Sequence, residues 1–218
     1  MQSRKIVVMQ RLQDLVRVGY RYWTGGTIPA ERVKHLRVKF DEKYGTEADR
    51  VRRQRRKRHG VGNAYLVVWC PKGSVRARWW LLAENGHAAQ AVEQMSDAGD
   101  RPTRLTIASG VDGTEPDYEL VRVDGRWTWR LTQFAISRWR RRIREAVTEK
   151  DRDKRAQLWR QFCWSIRRMP GFRGVRQGAW DVIRRARGEW KRHCRGAAPC
   201  QPSLPRYLRR LPQRPGAN

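Results

Sequence analysis

Acidic residues are scarce in this chain: 21 Asp+Glu stand against 49 Lys+Arg in 218 residues, a formal net charge of +28 and a sequence pI near 11.4. A compact domain repels itself at such charge unless a polyanion is nearby, which sets aside most small-molecule enzymes and makes nucleic acid the expected partner. Cysteine is also sparse. Cys70, Cys163, Cys194 and Cys200 are too few and too scattered for a disulfide scaffold, so a reducing cytoplasm is the expected compartment. No run approaches the roughly 18 apolar residues of a spanning helix, and the opening MQSRKIVVMQ lacks the apolar centre and small-residue cleavage site of a signal peptide. No membrane partner is expected.

Chemistry-bearing clusters are missing as well. The histidines His35, His59, His87 and His193 include no pair at a metal-ligand spacing, and no acidic cluster is present to hold Mg²⁺. His193, Cys194 and Cys200 with Cys163 come nearest to a zinc set, but no Cys-x-x-Cys occurs. No cofactor and no metal are expected.

What the chain does have is a core. Hydrophobic residues make up 39%, with 11 Trp, 6 Tyr and 4 Phe, an aromatic content that disordered basic tails lack. Of the cations 40 are Arg and 9 Lys. The guanidinium fork suits phosphate and stacks on bases, although a GC-rich genome produces the same bias.

The charge is unevenly spread. Residues 1–58 carry 17 Lys/Arg and 6 Asp/Glu, net +11; residues 59–131 carry 8 and 9, net −1; residues 132–218 carry 24 and 6, net +18. The composition divides the chain into a basic helical arm (1–58), a neutral β-rich centre (59–131), a basic helical region packing on the sheet (132–195) and a Pro/Arg-rich tail (196–218).

In the N-terminal arm Leu12, Val16, Gly19/Tyr20 and Trp23 keep a helical spacing that Gly25-Gly26 stops. A second helix opens near Pro29, buries Val33, Leu36, Phe40 and Tyr44, and ends at Gly45. Thr46, Glu47 and Asp49 suit the start of a third. The centre changes period: residues 63–70 and 75–83 are apolar on both faces, as for covered strands, and Pro71-Lys72-Gly73-Ser74 joins them. Residues 118–123 and 126–131 form a hairpin about Asp124-Gly125, and residues 103–108 are a further strand. Residues 87–95 are a short helix or a loop, and 112–116 a turn.

Three apolar stripes follow: Ile136, Trp139, Ile143 and Val147; Leu158/Trp159, Phe162/Cys163 and Ile166; and Val175, Ala179, Val182/Ile183, Ala186 and Trp190. In the tail, Tyr207, Leu208 and Leu211 are docking candidates. The expected fold is α+β, a central antiparallel sheet of about four to five strands flanked by N-terminal and C-terminal basic helices.

Residues 50–58 hold seven positive side chains in nine positions, with Val51 the one apolar residue. A helix polar all round has no face to bury and repels itself, and phosphates offset that repulsion. Arg52, Arg53, Arg55, Arg56, Lys57 and Arg58 are therefore candidate phosphate contacts. A second cluster, Arg138, Arg140, Arg141, Arg142 and Arg144, surrounds the Ile136/Trp139/Ile143 stripe; of these Arg138, Arg141 and Arg142 share a side with Glu145, which can pair with Arg141 or Arg142. The stretch Pro170-Gly171-Phe172-Arg173-Gly174-Val175-Arg176 places Arg173 and Arg176 at a helix start, where free N–H groups face anions. Most tryptophans belong to the core by their position, leaving Trp23, Trp164 and Trp180 as candidates for stacking on bases. His59 directly follows the basic run and is the catalytic candidate, a general acid or base for metal-free RNA cleavage.

Several stretches resemble basic proteins of unassigned function that occur on plasmids and integrative conjugative elements of proteobacteria. These are Arg56-Lys57-Arg58-His59-Gly60 with Asn63-Ala64, Trp79-Trp80-Leu81-Leu82, Tyr118-Glu119-Leu120-Val121-Arg122 with Trp127-Thr128-Trp129-Arg130, and the 170–176 stretch, together spanning most of residues 56–176. The resemblance implies a bacterial mobile-element context and carries over no functional residue. The expected function is nucleic-acid binding, with RNA and DNA both fitting, in the maintenance, transfer or regulation of such an element. Two alternatives stand beside it: a metal-independent ribonuclease acting on structured RNA, and a structural subunit of a ribonucleoprotein or protein complex.

Overall fold

A computed structural model of the chain describes residues 4–108, 110–111, 113 and 115–209. Over these residues the fold is α+β, with helices flanking the strands in sequence on both sides and the strands divided between a four-stranded and a three-stranded antiparallel sheet. Two compact units result. The first takes the described residues up to Gly113 together with Leu120–Trp127, and the second takes Glu115–Glu119 with Thr128–Arg209.

The first unit opens with α1 (Lys5–Arg17), which buries Val8, Met9, Leu12, Leu15 and Val16. The helix does not continue to Trp23 as its spacing predicts. Gly19 adopts φ +117 two residues past the helix, and Tyr22–Pro29 is a strand, β1. Gly25 and Gly26 are therefore not a helix stop; they make room for a neighbouring strand. A Cβ on Gly25 would lie 2.6 Å from the Trp79 carbonyl oxygen, and one on Gly26 3.2 Å from the Trp79 ring.

That neighbour is β3 (Arg76–Ala83), paired antiparallel with β1 from Tyr22↔Ala83 to Pro29↔Arg76. On its other edge β3 pairs with β2 (Ala64–Trp69), and β4 (Ser96–Asp97) adds to β1, giving the order β2-β3-β1-β4. A 3₁₀ turn at Ala30–Arg32 leads into α2 (Val33–Tyr44), which Gly45 closes at φ +63. From α2, Val33, Phe40 and Tyr44 pack against Leu66, Val68 and Leu81, while α1 covers the opposite face, where its Arg11 lies over the Tyr65 ring. Both faces of β2 are thus covered, which explains its unbroken apolar run. Next come α3 (Arg50–Arg58) and a short α4 (Ala89–Val92).

The three-stranded sheet has the order β5-β6-β7, with β5 at Thr106–Ala108, β6 at Pro116–Val123 and β7 at Arg126–Leu131. Asp124 and Gly125 form the hairpin turn with φ +49 and +74, the positive values for which Asp-Gly is suited. β5 opens later than residue 103: the Thr103 hydroxyl donates to the Asp97 carbonyl at 3.0 Å, and its own carbonyl accepts from Trp23 Nε1 at 3.0 Å. Of the expected turn at 112–116, Asp112 and Thr114 lie outside the described residues, and Pro116 already opens β6.

In the second unit α5 (Gln133–Thr148), α6 (Arg152–Arg167) and α7 (Arg173–His193) bury the three stripes read from the sequence, except that Ile136 and Leu158 are only half-buried. Thr132 and Asp151 cap α5 and α6, accepting from Ala135 N and Lys154 N. Trp159 packs on Phe162 and Trp190, with ring centroids 5.3 and 4.6 Å apart. The amide of Gly174 donates to Thr128 Oγ1 at 3.1 Å, and a Cβ there would meet the Trp129 carbonyl at 2.6 Å, so only glycine lets α7 start this close to β7. The following segment docks: Cys200 O accepts from Trp159 Nε1 at 2.9 Å, Tyr207 lies under Arg176, and the Leu208 amide donates to Gly171 O. Leu211 lies outside the described residues.

Candidate nucleic-acid interface

The first basic surface is α3. Asp49 caps it, its carboxylate accepting from Arg52 N at 2.7 Å, and no residue of the helix is buried. Val51 is 74% exposed, so apolar burial does not hold the helix in place. Two arginines do. Arg53 donates to the Tyr65 hydroxyl at 2.7 Å and to the Thr46 carbonyl at 2.9 Å, with its guanidinium 4.0 Å from the centre of the Tyr65 ring. Arg56 donates to the Tyr44 carbonyl at 3.2 Å and lies against Gly45, where a Cβ would come within 2.5 Å of its guanidinium.

The basic run is therefore divided in its roles. Arg53 and Arg56 turn inward and are occupied by the fold, whereas Arg52, Arg55, Lys57 and Arg58 are exposed. Among the described residues none of these four has a carboxylate partner, and neither has Arg50. His59 is exposed at the C-cap, its amide bonded to Arg55 O and Arg56 O.

In the second unit the residues singled out from the sequence are mostly occupied. Arg138 is paired with the buried carboxylate of Asp117. Arg142 donates to Ser165 Oγ at 3.2 Å and lies 4.7 Å over the Trp139 ring; burial, and then the neighbouring Arg138, lower its pKa. Arg141 is exposed and faces Glu145 at 3.7 Å. Arg176 donates to the Pro205 carbonyl and stacks on Tyr207, 3.8 Å from the ring centre, while Arg173 stays exposed at the first turn of α7.

Arg140 and Arg144 belong to the basic cluster read from the sequence but not to its candidate contacts, and Arg185 was not singled out at all. Arg140 and Arg144 leave α5 on the side that faces α7, where with Arg141 and Arg185 they line a groove of about 650 Å³. The signal was present in the i, i+4 spacing of 140 and 144, but which side of α5 meets α7 is a tertiary fact. Of the stacking candidates, Trp23 is half-buried and bonded to Thr103, whereas Trp164 and Trp180 are 59% and 50% exposed. Arg168 lies 3.9 Å over the Trp164 ring.

Cys163 is buried, and burial followed by a hydrogen bond with Cys200 pushes its thiol pKa far up, opposite to what a nucleophile or metal ligand needs. Cys194 instead faces the Val147 carbonyl, and the described residues contain no group of three His, Cys, Asp or Glu able to hold a metal ion. Among them no helix is long and apolar enough to cross a membrane.

The chain is thus an α+β protein with a basic helical surface in each of its two units. It matches no protein-family model, no curated protein and no solved structure.

Proposed function

We propose that this chain is a nucleic-acid-binding protein of the cytoplasm, acting in a bacterial mobile-element context, with α3 as its principal contact. The observation that carries this reading is the manner in which α3 is held. A self-repelling helix with nothing to bury is kept in place by Arg53 and Arg56, and its remaining cations face outward without acids to neutralise them. Such a surface is pre-formed for a polyanion, and Arg55 and Arg58 near its crest suit phosphate forks. Phosphate contacts position a protein without reading sequence, so this surface supplies affinity and leaves specificity to bases reached elsewhere or to nucleic-acid shape.

The test uses the whole chain with Arg52, Arg55, Lys57 and Arg58 all changed to Gln, keeping Arg53 and Arg56. Binding to single- and double-stranded RNA and DNA is followed from about 50 to about 200 mM salt. The parent's affinity is expected to fall steeply across that range, and the variant's log–log slope to be shallower by about 3 to 4 on duplex, roughly 0.9 for each phosphate no longer neutralised. A parent whose binding ignores salt would overturn the proposal.

A further inference from the structure

The groove between α5 and α7 is a second cationic surface, distinct in its residues from α3. Ser137, Arg140, Arg141, Arg144 and Thr148 follow one another on one side of α5, facing Arg185, Glu189 and His193 of α7. A further hollow of about 420 Å³ shares Arg140 and Arg185 and runs on to Gln133 and Gly178. One hollow takes in the early residues of both helices, 133–136 and 178–182, and the other their late residues, 144–148 and 189–193, as for two helices that run in the same direction. Together the hollows form one trough along sixteen residues of each helix, a rise of about 22 Å.

The charges in this trough are poorly balanced. Glu189 is shared by Arg185 and Arg192, each at 3.6 Å, and by His193 at 3.4 Å, all three loose contacts. Asp181 is taken by Arg184 at 3.2 Å and Arg141 by Glu145. Arg140 and Arg144, exposed and one turn apart, have no carboxylate partner among the described residues. Their Cα atoms are separated by about 6 Å along the axis, comparable to consecutive phosphates on an extended strand.

We infer that the α5–α7 trough binds the phosphodiester backbone of a single nucleic-acid strand, with Arg140, Arg144 and Arg185 as its contacts. The inference rests on the nucleic-acid reading above and adds a second site with a stated ligand. The length of the trough and the repeated cations suit an extended polyanion better than a compact anion. Its concave walls of two packed helices admit a strand, whereas a duplex presents a convex side. No Trp, Tyr or Phe lines either hollow, and the one imidazole, His193, faces Glu189 at 3.4 Å, so bases find little to stack on and the site grips backbone irrespective of sequence.

The experiment is an arginine footprint on the full chain. The protein is treated with phenylglyoxal with and without saturating oligo-U or oligo-dT of roughly 20 nucleotides, longer than a typical single-strand site. The two strands separate RNA from DNA as the source of the backbone. Protection of Arg140, Arg144 and Arg185 is expected. The variant R140Q/R144Q/R185Q changes exposed side chains, so its circular dichroism should match the parent's, and its single-strand salt slope should be shallower by about 2, at roughly 0.7 for each phosphate. If α3 is protected while these three stay reactive, the trough inference fails and the proposed function stands. Absence of binding to every strand and duplex overturns both.

Discussion

At the scale of the residue, the same type of side chain takes opposite roles according to the atoms within a few ångströms. Arg53 and Arg55 are two positions apart, yet one is fixed between the Tyr65 hydroxyl and the Thr46 carbonyl and the other faces water. His87 shows how burial adds a pH response. Its ring is buried, Nδ1 accepts from Ala89 N at 3.1 Å, and burial, with Arg56 adding to it, lowers its pKa, against a backbone hydrogen bond at Tyr44 that raises it. The unfolded chain takes up the proton near the ordinary value of about 6.5, where the folded chain still resists it. The contribution to stability is therefore complete above about pH 6.5 and is lost as pH falls from there through the folded-state value. The urea midpoint should drop between about pH 7 and about pH 5, and His87→Gln, which can still accept from the Ala89 amide, should flatten that part of the profile. An unchanged slope in the variant would assign the response to another group.

At the scale of the element, α3 and α1 were legible to different extents. Asp49 as cap, the 50–58 span and the self-repulsion of the run are local properties, and the structure has α3 at Arg50–Arg58 with Asp49 capping it. Its attachment was not legible, because Tyr65 and the Tyr44 and Thr46 carbonyls come from segments that only folding brings beside it. Arg53→Met with Arg56→Met keeps much of the side-chain volume but removes those hydrogen bonds. The pair is expected to cost about 2 to 4 kcal/mol, or to release α3 alone. Hydrogen exchange separates the two, since a released helix loses amide protection over Arg53–Val61 while the β2 amides keep theirs. The apolar spacing that carried α1 on to Trp23 failed for a related reason. Tyr20 and Trp23 are equally suited to a strand end, and the decisive contact, Gly25 against Trp79, spans more than fifty residues of sequence.

For the molecule as a whole, the charge of +28 acts on folding and binding with opposite signs. Added salt screens self-repulsion and so stabilises the folded chain, while it weakens phosphate contacts by reducing the gain from counterion release. The thermal midpoint should rise between about 50 and about 200 mM salt as affinity for nucleic acid falls, and oligonucleotide added at low salt should raise it by mass action. A midpoint that falls with salt would show that internal ion pairs already balance the charge. What the sequence determined by itself is whatever depends on near neighbours: the apolar stripes of α5, α6 and α7, the Asp124-Gly125 hairpin, the Gly45 stop and the concentration of cations in two regions. Only the tertiary structure decided that β1 lies inside a sheet, that Arg53, Arg56, Arg138 and Arg142 are taken up by the protein, and that Arg140, Arg144 and Arg185 share a trough. Side-chain direction toward a distant partner sets those outcomes, and a one-dimensional pattern carries the face of an element but not what that face meets.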